Sequence, residues 1–311
     1  MVERYTLLNS QLSPSAEGHI FYYYNVDSEE KEYIKKTFDI DEHSLASALD
    51  ADEVARFEFD TDQKENYTLI WKSPAPLMLG DVFSLNIMSL GFFVRGENLI
   101  IISQKKIPNI QGKLHLFLQT NHDAIFYFQY HIIKSFTEHL KIIKLMAREI
   151  QEKINTSLKN EYLLQMFHLS EVLIFYLEAL NGNKSALTKF QNYLFVRAVP
   201  CDEDFLSDLL VETEQAAKQA EIYSEVFASL MDARASIVNN NMNVLIKNLT
   251  IINIIFLPLN LIASIGGMSE YTALTQGIPL YISYGLFCIA MIVIGWVTYK
   301  VLVHLEKKQT K

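Results

Sequence analysis

The sequence predicts an α+β membrane protein, in which an N-terminal α/β domain lies in the cytoplasm and a long stalk helix continues into the first of two C-terminal transmembrane helices. Two windows without a charged residue, 248–269 and 271–299, predict the two spans, because each exceeds the roughly 20 residues that cross a bilayer as a helix. Residues 201–257 contain neither Gly nor Pro, so one helix can run through them. Upstream, segments with strand and helix character alternate over residues 19–103.

The composition excludes several classes of protein. Half of the 311 residues are hydrophobic, which rules out a disordered chain, and the net charge of −9 argues against nucleic-acid binding. Two cysteines, Cys201 and Cys288, exclude a disulfide scaffold or a zinc ribbon. The sequence lacks GxGxxG, HExxH, CxxC and GxSxG, and residues 182–185 lack the upstream glycine of a phosphate-binding loop, so we do not expect an enzyme.

The N-terminal domain, 1–112, is predicted from short periodic segments. A strand over 19–27 leads into a helix that begins near Asp27, whose carboxylate can cap exposed helix amides. The remaining expected elements are a strand over 66–72 and a hairpin of 90–94 and 99–103 around the turn 95–98.

Two groups of titratable residues have both an ordinary and a functional interpretation. Residues 27–65 hold 14 Asp or Glu against 5 Lys or Arg. This segment is most simply a solvated face, and alternatively a region that concentrates cations near an interface. His131 and His139 lie on a predicted helix, where histidines are more often surface or core residues than metal ligands.

Residues 113–200 are predicted to form long cytoplasmic helices. No Gly or Pro occurs from Lys113 to Asn181, and apolar residues recur at helical spacing. We expect two helices separated near 155–157, then a turn at 181–183 and a connection that ends at Pro200.

Residues 201–247 are predicted to form the stalk. A helix this long favours a bundle with copies of itself. Apolar or small residues recur at steps of four and three, which favours packing against neighbours along the length of the helix. They are Leu206, Leu210, Thr213, Ala217 and Ala220.

The two spans are expected at 248–269 and 280–303, joined by an external loop, 270–279, and followed by a basic tail, 304–311. Lys and Arg flank the spans on one side and are absent from the loop, so the positive-inside rule places both termini in the cytoplasm. Without a secretory signal in the opening residues, we expect a multi-pass protein in the lipid bilayer of the cell inner membrane. A buried hairpin in a soluble core is the alternative, but two such runs are hard to bury in a chain of this size.

The first span carries its polar side chains on one stripe. Steps of four and three residues from Asn243 collect Ile246, Thr250, Asn253, Leu257, Asn260, Ser264 and Gly267. Polar groups in hydrocarbon must find partners or water. Hydrogen bonding between helices is one interpretation, and a water-lined pore with apolar constrictions at Ile246, Leu249 and Leu257 is the other. Two helices cannot enclose a conduit, so a pore requires a homo-oligomeric ring.

The chemistry of such a pore suits a hydrated divalent cation. Amide and hydroxyl oxygens carry no net charge and strip water poorly, whereas Mg²⁺ tends to keep its waters. A ring of these oxygens can hold the hydrated ion and still release it. Glu270, repeated around the outer mouth, would raise the local concentration of cations.

The segment Phe256 to Ser269, FLPLNLIASIGGMS, resembles the CorA family of magnesium and cobalt transporters, whose pattern is an F-x-P-L-T-x-I-A run that ends in Gly-Met-Asn. The resemblance implies a funnel-shaped homopentamer whose first spans line the pore. It implies Mg²⁺ as the transported or regulatory ion, with Co²⁺ or Zn²⁺ as alternatives, and no other cofactor.

The resemblance also implies roles for single residues. At the outer mouth, Gly267 and Met268 match the first two motif positions and are followed by Ser269 and Glu270. Asp208 and Asp232 resemble acidic stalk positions that bind regulatory magnesium between subunits, so that loss of metal lets the stalk splay. Along the pore, Asn243 matches a polar residue at the cytoplasmic end, Leu249 and Leu257 match hydrophobic rings, and Asn260 stands where the family often has Thr.

The sequence departs from the family pattern at three places. Ser269 replaces the Asn of the motif, and the acidic loop after it is reduced to Glu270. The partner carboxylate expected in the N-terminal domain has no clear match in 43–49. Two other functions therefore stay open: a zinc transporter like the ZntB branch, and a non-conducting, membrane-anchored oligomeric scaffold or sensor.

Overall fold

The computed structural model of the protein describes residues 1–8, 11–59, 66–76, 85–107, 118–156, 160–267, 273, 275 and 277–309. These residues form two compact units, Met1–Met231 and Asp232–Lys311. Each unit is described by itself below.

In the described part of the first unit, seven strands form one mixed sheet in the order β2-β1-β3-β7-β6-β5-β4. All neighbouring strands are antiparallel except β3 and β7, which are parallel. The predicted strands over 19–27 and 66–72 and the hairpin are confirmed, whereas β1 and β2 were not predicted. The strands are β1 (Val2–Leu8), β2 (Gln11–Pro14), β3 (Ile20–Tyr24), β4 (Arg56–Phe59), β5 (Tyr67–Pro74), β6 (Ile87–Arg95) and β7 (Asn98–Ser103).

The helices begin where the sequence supplies caps. The carboxylate of Asp27 accepts a hydrogen bond from Glu30 N at 2.8 Å, and the Glu30 side chain accepts one from Asp27 N. This reciprocal arrangement is a capping box, and it confirms the helix start predicted near Asp27. The helices are α1 (Ser28–Phe38), α2 (Glu42–Leu49), α3 (Asn121–Thr156), α4 (Asn160–Val196), α5 (Glu203–Gly266) and α6 (Leu280–Gln309).

The sheet of the first unit has an apolar core on each face. Trp71 and Phe92 belong to one core together with residues of α3, α4 and the beginning of α5. Ile70 and Phe93, which point to the opposite face, pack with Ile34 of α1 and other residues of α1 and α2. Strand β5 is buried along its whole length, as expected of a strand covered on both faces.

The regular repeat in the first part of α5 packs within its own chain. Leu206, Thr213 and Ala220 are completely buried, and Phe205 and Tyr223 contact Tyr130 and Lys144 of α3. The neighbours that this spacing predicted are therefore the other helices of the same unit. In the single chain, a different side of the helix stays exposed.

The predicted turn at 181–183 is wrong, because α4 continues through it. Asn183 is completely buried. Its Oδ1 accepts a hydrogen bond from Lys72 N at 2.8 Å, and its Nδ2 donates one to Lys72 O at 2.9 Å. Strand β4 pairs with β5 only as far as Ile70, so the amide of Asn183 replaces the missing strand there. Gly182 leaves room for Ala55, whose Cβ would lie 3.3 Å from a Cβ at this position.

Three helices of the described chain are long and apolar enough to cross a membrane: residues Glu161–Val196 of α4, Glu203–Ile265 of α5 and Tyr281–Val301 of α6. They differ in burial. Of the apolar window in α4, 39% is buried in the fold, against 0% in α5 and 6% in α6. The apolar side chains of α4 thus contribute to the core, whereas those of α5 and α6 still need an apolar surrounding. Helix α5 includes Pro258 without ending there.

We expect Asn183→Ala to lower the free energy of unfolding by about 2–4 kcal/mol, because the N–H and the C=O of Lys72 would lose their partner inside the core. Asn192→Ala, at an exposed position of the same helix, should change it by less than about 0.5 kcal/mol. Urea unfolding of the full chain in detergent, followed by the fluorescence of the neighbouring Trp71, measures the difference. Equal unfolding free energies for the two variants would contradict the role of Asn183.

Candidate functional site

In the second unit, α6 packs against one face of α5. A Cβ at Gly295 of α6 would lie 3.6 Å from Leu259 Cδ1 of α5. The partly covered positions recur at helical spacing on both helices. On α5 they are Ile251, Ile255, Pro258, Leu259 and Ile262, and on α6 they are Ser283, Phe287, Met291, Ile294, Gly295 and Thr298.

The predicted pore residues lie roughly on the opposite side of α5. At 3.6 residues per turn, this stripe is turned away from the positions that meet α6. All of its members are exposed in the single chain, so α6 does not cover it. We call it the α5 stripe: Asn243, Ile246, Leu249, Thr250, Asn253, Leu257, Asn260 and Ser264.

Polar and apolar side chains alternate along the α5 stripe. Ile246, Leu249 and Leu257 are 55%, 60% and 71% exposed, so large apolar groups stand free next to amides and hydroxyls. Asn239, one turn before Asn243, is also exposed on this side of the helix. Asn239 is not among the predicted pore residues, although one further step of four residues from Asn243 leads to it.

The hydroxyl of Thr250 has a defined orientation. Its Oγ1 donates a hydrogen bond to the backbone oxygen of Ile246 at 2.8 Å. The proton is therefore directed at the helix, and the lone pairs of the oxygen remain as acceptors on the stripe. A hydrated cation presents the hydrogens of its waters outward, and such an acceptor suits it.

The outer end of α5 is described as far as Gly267, whose N–H donates to Ala263 O at 3.1 Å. The other residues predicted at the outer mouth, Met268, Ser269 and Glu270, lie outside the described residues. Gly267 therefore marks the end of the helix that carries the α5 stripe.

The two stalk carboxylates are exposed and belong to different units. Asp208 lies in the first unit and Asp232 begins the second. Within the described ranges, no group of three or more His, Cys, Asp or Glu side chains could hold a metal ion. A metal at either carboxylate would need further ligands beyond the described residues of the single chain.

The acidic segment 27–65 uses many of its described carboxylates in local contacts. Asp27 and Asp41 cap α1 and α2. Glu53 and Glu58 form ion pairs with Arg56 at 2.6 and 2.8 Å. These contacts favour the solvated face over a region that gathers cations.

Of the two predicted helix histidines, His139 is buried in the first unit and His131 is partly buried. His139 is 5% exposed and its Nδ1 lies 2.8 Å from Tyr176 Oη. Burial lowers the pKa of His139 to about 4, and burial also lowers the pKa of His131. Both histidines are therefore neutral near pH 7, and His139 serves the contact between α3 and α4.

Comparisons with known proteins agree on one family. The profile of the CorA-like Mg²⁺ transporter protein family matches residues 17–304. The cobalt/magnesium transport protein CorA of Methanocaldococcus jannaschii is 27% identical over 256 residues, which are 79% of this chain and 78% of the relative.

Two solved structures share the whole fold. The complete structure of the CorA magnesium transporter from M. jannaschii has a TM-score of 0.74 at 21% identity, and covers 96% of both chains. The structure of the full-length CmaX protein has a TM-score of 0.71 at 13% identity and also covers 96% of both chains. The likeness confirms the predicted fold: an α/β domain, a stalk helix and C-terminal apolar helices.

His139 leads to a prediction for the pH dependence of stability. Because its pKa is lower in the folded than in the unfolded chain, its contribution is complete above about pH 6.5 and is lost as the pH falls toward 4. We expect about 3 kcal/mol of unfolding free energy to be lost in this window, and His139→Gln to remove that loss. Thermal unfolding between pH 4 and 7.5 measures it, with the exposed His19→Gln as control. A His139→Gln profile that follows the wild type would refute the assignment.

Proposed function

Because this chain belongs to the family of CorA-like Mg²⁺ transporter proteins, we propose that it is a channel-like transporter of magnesium across the cytoplasmic membrane. Family membership makes it a CorA-like transporter of divalent cations and a membrane protein, not an enzyme. The proposal adds the cation, a pore formed by several copies, and control of conduction by the cytoplasmic domain.

The observation that carries the proposal is the exposed α5 stripe on the side away from α6. In hydrocarbon, such polar side chains need partners or water, and the second helix of the chain lies elsewhere. Copies of the chain arranged around an axis would bring the stripes together around a water-filled path. We propose a homopentamer, as the resemblance implies.

The side chains of this path suit a hydrated divalent cation. Mg²⁺ exchanges its waters reluctantly, so neutral acceptors that bond to those waters can pass the ion without removing them. Thr250 has its acceptor side free, and Asn243 and Asn260 place amides toward the two ends. Ile246, Leu249 and Leu257 are the apolar constrictions, which gate by excluding water when they approach each other.

The outer mouth of the proposed pore comprises Gly267, Met268, Ser269 and Glu270. Ser269 offers a hydroxyl where the family motif has the amide of Asn. A single Glu270 in each subunit would gather cations at the entrance. This mouth selects the hydrated ion before it enters the stripe.

Control by the cytoplasmic domain is proposed to act through metal bound between subunits. Asp208 and Asp232 are exposed, and each would share an ion with groups of a neighbouring copy. Bound metal holds the ring closed, and its loss lets like charges repel and the stalks separate. Both termini and the first unit lie in the cytoplasm, and the membrane is the inner one.

Cation uptake by proteoliposomes that contain the full chain tests the proposal. Mg²⁺ flux is the expected result. Flux that is selective for Zn²⁺ and depends on a proton gradient would identify a ZntB-like transporter instead, and the absence of any flux would identify a non-conducting scaffold or sensor. Each outcome is separate, because the three differ in cation and in coupling.

We expect Ser269→Asn to increase Mg²⁺ flux severalfold, because the longer amide restores two donors and an acceptor at the mouth. Asn260→Leu should lower the flux by about tenfold or more, since it replaces a polar group of the path by an apolar one. Fluorescent indicators inside the vesicles measure both rates. Leu261→Ala, at a neighbouring position that is 62% exposed and carries no polar group, is the control for Asn260→Leu. Unchanged flux in Asn260→Leu would favour hydrogen bonding between helices over a pore.

A further inference from the structure

We propose that Thr250 and Asn253 form a binding station for a hydrated divalent cation between two separate apolar collars, one at Ile246 and Leu249 and the other at Leu257. The inference rests on the proposed function, because the station exists only if the α5 stripe surrounds a path. It adds that the gate of this protein is divided in two and that an ion rests in the middle.

The order of side chains along the helix supports two collars. Ile246 and Leu257 are eleven positions apart, which is about 16 Å at 1.5 Å per residue. Thr250 and Asn253 lie between them, and all four are exposed on the same side of α5. A path along this side therefore meets an apolar layer, a polar layer and a second apolar layer.

The polar layer has the hydrogen-bonding groups that a hydrated cation needs. Thr250 Oγ1 donates to Ile246 O at 2.8 Å, which leaves it as an acceptor toward the path. Asn253, almost one turn further, offers a carbonyl oxygen and an amide group. The oxygens accept hydrogen bonds from the waters around the ion, and no charged group holds the ion so tightly that it cannot leave.

The station changes how the constriction works. A confined water needs about two to four polar partners to be stable, and an apolar lining that ran without interruption from Ile246 to Leu257 would supply none. Such a lining stays dry over its whole length. With Thr250 and Asn253 in the middle, the ion crosses two short dry collars and keeps its hydration shell between them.

The first test compares matched pairs of variants in proteoliposomes. We expect Asn253→Ala and Thr250→Val to lower Mg²⁺ flux by about tenfold or more, the factor that the loss of one hydrogen bond to a charged species gives. Asn253→Ser and Thr250→Ser keep an acceptor and should stay within about threefold of the wild type. Ile252→Ala, which lies next to Asn253 and off the stripe, is the control for helix packing and should not change the flux.

The second test uses hexaamminecobalt(III), whose bound ammonia donates hydrogen bonds like the waters of Mg²⁺ but does not exchange. This ion should block Mg²⁺ flux through the wild type. Half-block of Asn253→Ala and of Thr250→Val should require a concentration about tenfold higher than for the wild type, because each variant loses one hydrogen bond to the ion. If one variant fails to assemble, as judged by its elution in detergent, the pair at the other position carries the test.

The outcomes separate this inference from the proposed function. Wild-type vesicles without cation flux would overturn the proposed function and the station with it. If the wild type conducts, and Asn253→Ala and Thr250→Val have the same Mg²⁺ flux and the same sensitivity to hexaamminecobalt(III) as the wild type, the station alone is overturned. Equal losses in the Val and Ser variants of Thr250 would also overturn it, because the acceptor would then be irrelevant.

Discussion

A polar group inside hydrocarbon needs a hydrogen-bond partner or water, and the arrangement of the second unit follows from this demand. Helix α5 carries amides and hydroxyls along one face, and α6 packs roughly on the opposite one. The side chain of Thr250 meets part of the demand through its own helix, at Ile246 O. In the proposed pore, water and further copies of the chain would supply the remaining partners. The proposed oligomer and the proposed conducting path would therefore be two consequences of the same constraint.

Hydropathy alone does not distinguish the helices that cross a membrane from those that do not. Helix α4 is as long and nearly as apolar as a span, yet its apolar side chains pack on the sheet. Its Asn183 reaches across to the backbone of Lys72 and completes the hydrogen bonding of β5 where β4 ends. Asn183 is favourable in α4 because its amide bonds to the backbone of β5 inside the core. The contacts of α4 with the sheet therefore explain its sequence better than its hydropathy does.

The sequence predicted the elements whose signals are local. The cap at Asp27, the strand over 66–72 and the uncharged windows each lie within one short segment. Strands β1 and β2 were not predicted. In β1, polar residues such as Glu3 and Arg4 interrupt the apolar alternation, and β2 is only four residues long. The turn expected at 181–183 was wrong for a related reason: Gly and Asn favour turns when isolated, and here a core contact holds them in a helix.

Periodicity and hydropathy are properties of one segment, and the sequence by itself therefore determined the two apolar C-terminal helices, the long α5 and the polar stripe along it. The partners of each face depend on residues distant in the chain, and only the tertiary structure decided them. It placed α6 away from the stripe, and it directed Asn183 to a strand 111 residues earlier. It also showed that the side chains recurring from Leu206 to Ala220 pack in the core of the first unit. A periodic pattern specifies that a face will be covered, while the free energy of packing among all available surfaces decides by what.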